Sequence, residues 1–374
     1  MTEAVLVTGV AVATAAGRGA EASLAAVLAG RPTFAEVRRF DCGASRTRAA
    51  ATLPDARSLA AELREAVDTA CRDGGLGAAD LAETPLLLAA GTGTTLRRAD
   101  RAGDTAGAAG LATRLAERCG LAGAARAYTA ACVAGSSALA EAASMIAYGR
   151  LERAVVAGGF LVDADHQALF DAGRALADDG QVRPFSRGRR GMLLGDGIAA
   201  VVLESATAAG RRAATARGRL AGWGRAGDAY HVCQPDPAGA GLARAITRAL
   251  SRAGVAGGQI DYVNANGTGT SYADAAEAAA LRVALADHAD AVPVSSTKSV
   301  HGHALEASGV VEFVITVLAL GAGRLPVNAG FVAPDDDCRL DGVVRAPARA
   351  ELRHALSLNF AFGGANSALV VSAA

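Results

Sequence analysis

No charge of either sign is in excess in this chain: Lys and Arg together number 37, and so do Asp and Glu. A nucleic-acid-binding protein needs a basic surplus to replace phosphate counterions, so the balance argues against that class. A local basic patch could still serve an acidic partner. Cysteine is sparse, at positions 42, 71, 119, 132, 233 and 338, with no Cys-x-x-Cys pair and no His/Cys cluster at metal-ligand spacing. The expectation is a reduced, cytoplasmic protein with free thiols and no bound metal. Long hydrophobic runs are missing too. No apolar stretch reaches the roughly eighteen residues that span a bilayer without glycine or charge interrupting it, so no membrane association is expected. The opening Met1–Val10 carries no basic region before its apolar residues and reads as a buried first strand rather than a signal peptide. Aromatics make up only 4% while Ala, Gly and Arg abound, a bias that reflects a GC-rich genome more than chemistry. No Pro- or Ser-rich linker divides the chain.

What is present suits a large core. The 374 residues are 51% apolar and 20% charged, enough for two domains or one large α/β unit. Short apolar or β-branched runs (4–9, 85–90, 126–130, 153–158, 198–204, 260–264, 292–295, 355–360, 367–372) read as strands. They alternate with Ala-rich helical stretches (20–29, 57–74, 109–119, 136–149, 241–253, 272–285, 308–321), which predicts parallel strands with crossover helices. A faint internal echo accompanies this. Residues 195–204 and 363–372 are each a glycine turn feeding an apolar strand, and a small-residue turn precedes a helix after Cys132 and again after His303.

Four segments carry chemistry. Cys132 stands in Tyr128–Ala138, between a strand and a proline-free helix, where a helix start favours the thiolate. Asp261–Thr270, followed by Asp274 and Glu277, places amides and flexible backbone at the C-terminal edge of a strand. Ser295–Glu306 brings Lys298 and His303 between a strand and an apolar helix. Leu358–Asn366 ends in a glycine turn that can expose backbone N–H groups beside Phe362.

In order and wording these segments resemble the β-ketoacyl-acyl carrier protein synthase family, of the elongating type used in fatty-acid and polyketide synthesis. The family's TAC-x-x-G stretch appears as Ala130–Gly135, and its PF-D-x-x-R-x-G segment as Pro184–Gly191. Its HGTGT…D-x-x-E motif appears as Asn266–Thr270 with Asp274 and Glu277, its TKS-x-x-GH as Thr297–His303, and its FGFGG-x-N as Phe360–Asn366. The match spans nearly the whole chain.

The resemblance implies a thiolase fold, a duplicated five-layer αβαβα sandwich divided here as 1–205 and 206–374. It implies that Cys132 accepts an acyl chain from the phosphopantetheine thioester of an acyl carrier protein, and that a malonyl-carrier is then decarboxylated and condensed with it. Cys132 and Phe362 supply the oxyanion-hole N–H groups, Phe362 and Gly363 form the gate, and His303 holds the malonyl thioester. Lys298 and Glu277 orient His303. Thr268, Thr270, Phe360 and His231 lie on the substrate side. No cofactor is implied. The expected partners are the carrier protein and a second subunit, in a homodimer or in a heterodimer with a ketosynthase or chain-length-factor-like chain.

The sequence departs from the family pattern at several places. Asn266 stands where the first catalytic histidine is expected, Ser186 for an Asp, Asp196 for a Glu and Ala361 for a Gly, and the stretch between Gly93 and Tyr128 is short. A carboxamide donates a hydrogen bond but exchanges no proton near neutral pH. Three readings therefore stay open: an elongating synthase, a non-elongating acyltransferase, or a chain-length-factor-like subunit. Arg187, Arg189 and Arg190 form the candidate contact for an acidic carrier.

Overall fold

The computed structural model describes residues 2–43, 45–91 and 107–374. Ten strands build its main sheet: β1 (Val5–Thr14), β2 (Pro85–Ala89), β3 (Ala122–Tyr128), β4 (Arg153–Phe160), β5 (Gly197–Ser205), β6 (Gly218–Gly227), β7 (Tyr262–Asn264), β8 (Val294–Ser295), β9 (His354–Ala361) and β10 (Ala365–Ser372). They run β8-β7-β9-β10-β6-β1-β5-β4-β2-β3, with the short Gly17–Arg18 strand added beside β1.

That order is one pattern used twice. On one side β3, β2 and β4 are parallel and β5 and β1 follow antiparallel. On the other, β8, β7 and β9 are parallel and β10 and β6 follow antiparallel. The halves join where β1 meets β6, through Leu6 opposite Arg219 and Val7 opposite Gly218. Both sequence echoes fall at matching places. The glycine-turn strands are β5 and β10, and the small-residue turns lead into α3 (Ala134–Ala147) and α6 (Ser308–Ala322).

These two helices pack on each other between the sheets. Their burial follows from composition: α3 is mostly Ala and Ser, and α6 is Val, Ile, Phe and Leu around most of its girth. Helices α1 (Leu59–Asp73) and α2 (Gly107–Arg118) cover the outside of one half. Helices α4 (Ala240–Ala253) and α5 (Ser271–Leu285) cover the other. In α4, Leu242, Ala245, Ile246, Ala249 and Leu250 face inward at helical spacing, leaving Arg244, Arg248 and Arg252 on the solvent side. The result is helix, sheet, helix, sheet, helix, the five-layer sandwich expected.

One sequence expectation needs correction, the set of strands. Strand β6 lies outside the expected set, because its sequence Gly-Arg-Leu-Ala-Gly-Trp-Gly-Arg-Ala-Gly reads as a loop. Its glycines are there for close packing: a Cβ on Gly222 would lie 2.1 Å from the Ala249 carbonyl oxygen of α4. An apolar helix long enough to cross a membrane does exist, Leu305–Ala322, but it is the central helix and 78% of it is buried inside the protein. Of the short stretch before Tyr128, residues 92–106 lie outside the described residues.

Candidate active site

The chemistry-bearing segments converge where β3, β7, β8 and β9 end and α3 and α6 begin. Cys132 lies in the turn Ala131–Val133 that joins β3 to α3. Ala131 adopts φ 47, a conformation that costs a non-glycine residue about 1–3 kcal/mol and recurs at functional turns. The turn packs against the end of β9 and against a second turn, Leu305–Ala307, which leads into α6. Cys132 is half-buried. Burial pushes its thiol up to about 12, the Glu306 carboxylate acts in the same direction, and the Lys298 ammonium opposes both. Desolvation thus opposes the thiolate that the helix start favours.

His303 is buried and closely held. Its Nδ1 lies 3.1 Å from the Leu305 N–H, which donates to it, and 2.9 Å from Ser308 Oγ. With Nδ1 an acceptor, the ring proton sits on Nε2, and that nitrogen is a donor. Burial, Lys298 and His301 hold His303 well below its ordinary value, so it stays neutral.

Lys298 and Glu277 do not orient His303, contrary to expectation. Lys298 is almost fully buried and its Nζ lies 2.6 Å from Glu312 Oε1 in α6, the pairing that a buried ammonium requires. It also donates to Asn266 Oδ1 at 3.3 Å. Glu277 accepts the backbone N–H groups of Asn266 (2.7 Å) and Gly267 (2.8 Å). Those bonds favour its ionised form, and burial pushes it the other way, up to about 8. Asp274, one helical turn earlier on α5, accepts from Gly269 (3.1 Å) and from Phe185 (2.8 Å). The two carboxylates are backbone clamps on the 266–270 turn. Gly267 needs its missing side chain there: at φ 29 a Cβ would lie 2.5 Å from that of Ser296.

Asn266 is therefore fixed at both ends, its N–H by Glu277 and its Oδ1 by Lys298, which leaves the Nδ2 amide as a donor. The Thr268 and Thr270 hydroxyls lie 3.0 Å apart in the same turn. Phe360, near the end of β9, is half-buried and packs on the core of the C-terminal half. Phe362 is 54% exposed at the tip of the β9–β10 turn, its ring stacked on Phe170 with centroids 6.2 Å apart. Gly363 donates to the Val232 carbonyl at 2.8 Å, which ties this turn to the loop carrying His231. His231 is exposed, and its Nδ1 accepts from Cys233 and Gln234, so it closes its own loop.

Sequence reasoning missed Glu312, Ser308 and Asn359, whose Nδ2 donates to Glu312 Oε2 at 2.7 Å. A lone glutamate inside an apolar helix was the available signal for Glu312. The three clustered arginines differ in their surroundings. Arg189 is buried against Asp335 at 2.6 Å and Arg190 pairs with Asp178 at 2.6 Å, so of the three only Arg187 stands exposed outside an ion pair. Ser186 is buried and accepts from the Val332 N–H. Asp196 is buried as well, bound by Arg39 and by the N–H groups of Leu53 and Val162, and both residues serve the frame. Among the described residues, no group of three or more His, Cys, Asp or Glu is arranged to hold a metal ion.

Residues 63–209 match the family model described as beta-ketoacyl synthase, N-terminal domain, and residues 217–332 match the corresponding C-terminal domain. The chain is 39% identical over 249 residues to 3-oxoacyl-[acyl-carrier-protein] synthase 2 of Coxiella burnetii, covering 65% of this chain and 60% of that protein. It is 37% identical over 298 residues to nodulation protein E of Rhizobium meliloti, covering 79% of this chain and 72% of that one. The match thus spans less than two thirds of the Coxiella protein. Among solved structures, the ishigamide ketosynthase/chain length factor superposes over 100% of both chains with TM-score 0.91 and 28% identity.

Proposed function

We propose, from the premise that this chain belongs to the β-ketoacyl synthase family, that it takes an acyl group onto Cys132 and extends it by decarboxylative condensation with a malonyl thioester. The acyl groups ride on the phosphopantetheine of an acyl carrier protein, as the name of the Coxiella relative supports. The steps use no metal or redox cofactor. In the first, the Cys132 sulfur attacks the acyl thioester carbonyl and the carrier thiol leaves. In the second, the malonyl thioester oxygen is held by hydrogen-bond donors while CO₂ departs. The carbanion attacks the acyl-Cys132 carbonyl, a carbon–carbon bond forms, and the Cys132 sulfur is released. The N–H groups of Cys132 and Phe362 stabilise the oxyanion at the acyl carbon.

One observation carries the elongating reading over the others: Asn266 and His303 are both locked as donors. Lys298 occupies Asn266 Oδ1, and the Leu305 N–H occupies His303 Nδ1, which leaves Nδ2–H and Nε2–H for the developing enolate. A carboxamide serves this purpose, since the enolate needs hydrogen bonds and not proton exchange. The likeness to a ketosynthase/chain length factor supports assembly with a second, related subunit, and the exposed Arg187 suits an acidic carrier.

The test is CO₂ release from malonyl-carrier. Asn266→Ala is expected to lower it about 10²–10³-fold, the effect of deleting one oxyanion donor, while acylation of Cys132 stays within a few-fold. Asn266→His is expected to bring no gain. A wild type that releases no CO₂, with Asn266→His restoring it, contradicts elongation and makes the protein a non-elongating acyltransferase. A wild type that is never acylated makes it a chain-length-factor-like subunit.

A further inference from the structure

The internal duplication pairs the nucleophile with a carboxylate. In one half, β3 enters the turn Ala131–Val133 and then α3; in the other, β8 is followed by the turn Leu305–Ala307 and then α6. Each turn opens on a non-glycine residue with left-handed backbone, Ala131 at φ 47 and Leu305 at φ 42. The next residue is Cys132 in one and Glu306 in the other. Three residues further on stand Gly135 and Gly309, where the two helix starts cross in backbone contact. A Cβ on Gly309 would lie 2.3 Å from Ser136 N, and one on Gly135 would lie 3.0 Å from the Glu306 carbonyl. Cys132 and Glu306 therefore spring from equivalent points of two turns pressed face to face.

The Glu306 carboxylate is seated over Gly91, just beyond the end of β2, where a Cβ would come within 2.7 Å of Oε1. Its Oε2 is buried and has no hydrogen-bond partner among the described residues. Such an oxygen is costly unless something delivers a proton or a donor to it. Among the described residues, the other groups around Cys132 are not open to accept a proton: His303 presents Nε2–H, Asn266 presents Nδ2–H, Lys298 is a cation, and Glu312 is bound by Lys298 and Asn359.

We infer that Glu306 is the proton acceptor for Cys132, an inference that rests on the reading that Cys132 takes an acyl group. As the Sγ–C bond forms, the Sγ proton passes to the Glu306 carboxylate. As the carbon–sulfur bond to the carrier breaks, the same proton returns to the departing pantetheine sulfur. No net charge is created in the buried site, and no further reactant is needed. Among the described residues, the ionisable groups facing Glu306 include Cys132, His166 and Asp163. His166 Nδ1 lies 3.0 Å from both Asp163 oxygens, an arrangement that favours imidazolium near the carboxylate. Burial and Asp163 raise the Glu306 carboxyl and His166 lowers it, with the net direction upward, which strengthens it as a proton acceptor.

Two readouts on Glu306→Gln test this, because they move in opposite directions. Alkylation of Cys132 by iodoacetamide at neutral pH is expected to rise several-fold, since a negative charge beside the thiol is gone. Acylation by an acyl-pantetheine thioester, followed by intact mass, is expected to fall about 10²-fold, the usual worth of a proton-accepting group. Glu306→Asp should recover part of the acylation, and its alkylation rate shows that the site is folded. Acylation that is unchanged, or that rises in step with alkylation, overturns the inference while leaving the function intact. A wild type that alkylates at Cys132 but is never acylated overturns the function itself, and the inference with it.

Discussion

Lys298 connects the two donors to the protein frame. Its ammonium reaches Asn266 Oδ1 and Glu312 and acts on His303 through charge, without a hydrogen bond to that ring. Removing it has two separable consequences. In Lys298→Met, Glu312 is left buried without its cation, which is expected to cost about 3–5 kcal/mol in chemical denaturation. The second consequence concerns pH. A cation beside His303 disfavours the imidazolium, so its removal lets the ring titrate closer to the ordinary histidine value. Protonation would set an Nδ1–H against the Leu305 N–H and displace the ring. The fall in CO₂ release at low pH should therefore begin at a higher pH in the variant than in the wild type, still below the ordinary histidine value because burial remains. A pH profile unchanged by the substitution would contradict the role given to Lys298. Cys132, Asn266, His303 and Lys298 were legible as residues because their neighbours carry distinctive wording. Their partners were not. Which carboxylate meets Lys298 is decided by α6 passing behind the 297–303 segment, and no local pattern encodes that.

At the scale of elements, the long helical segments could be read to within a few residues, among them α4, whose apolar face is strongly periodic, and α5 and α6. Strand β6 could not. Its alternating glycines lower strand propensity, and the reason for them lies in α4, packed directly over them. Gly222→Ala is expected to destabilise the protein by about 1–3 kcal/mol through overpacking against the α4 backbone. Gly210 is exposed in the helix Ala206–Arg211, and nothing lies within 4 Å of where its Cβ would stand. Gly210→Ala should therefore be neutral or stabilising by up to about 1 kcal/mol. Equal effects in urea denaturation would show that close approach is not what the β6 glycines provide. The D-x-x-E spacing is a second element-scale lesson. Asp274 and Glu277 share one face of the start of α5, and Glu277 was expected to orient His303, yet both hold backbone amides of the preceding turn.

For the whole molecule, duplication is the organising fact. Two copies of one strand order place the starts of α3 and α6 against each other at the centre, and the groups proposed to react lie on or beside these starts. The sequence held this only as two short echoes, since the halves share strand order and glycine positions far more than side chains. What each half contributes is different: the first supplies the thiol, the second the donors and the carboxylates. The central claim is that these contributions act in sequence on one acyl chain. The most direct measurement is intact-mass spectrometry of the protein and its carrier, after acyl-carrier is supplied first and malonyl-carrier second. The expected result is an acyl mass on Cys132, absent in Cys132→Ala, that disappears when malonyl-carrier arrives, with a two-carbon-longer 3-oxoacyl group appearing on the carrier. An acyl mass on Cys132 that persists, with the malonyl-carrier unchanged, would contradict it.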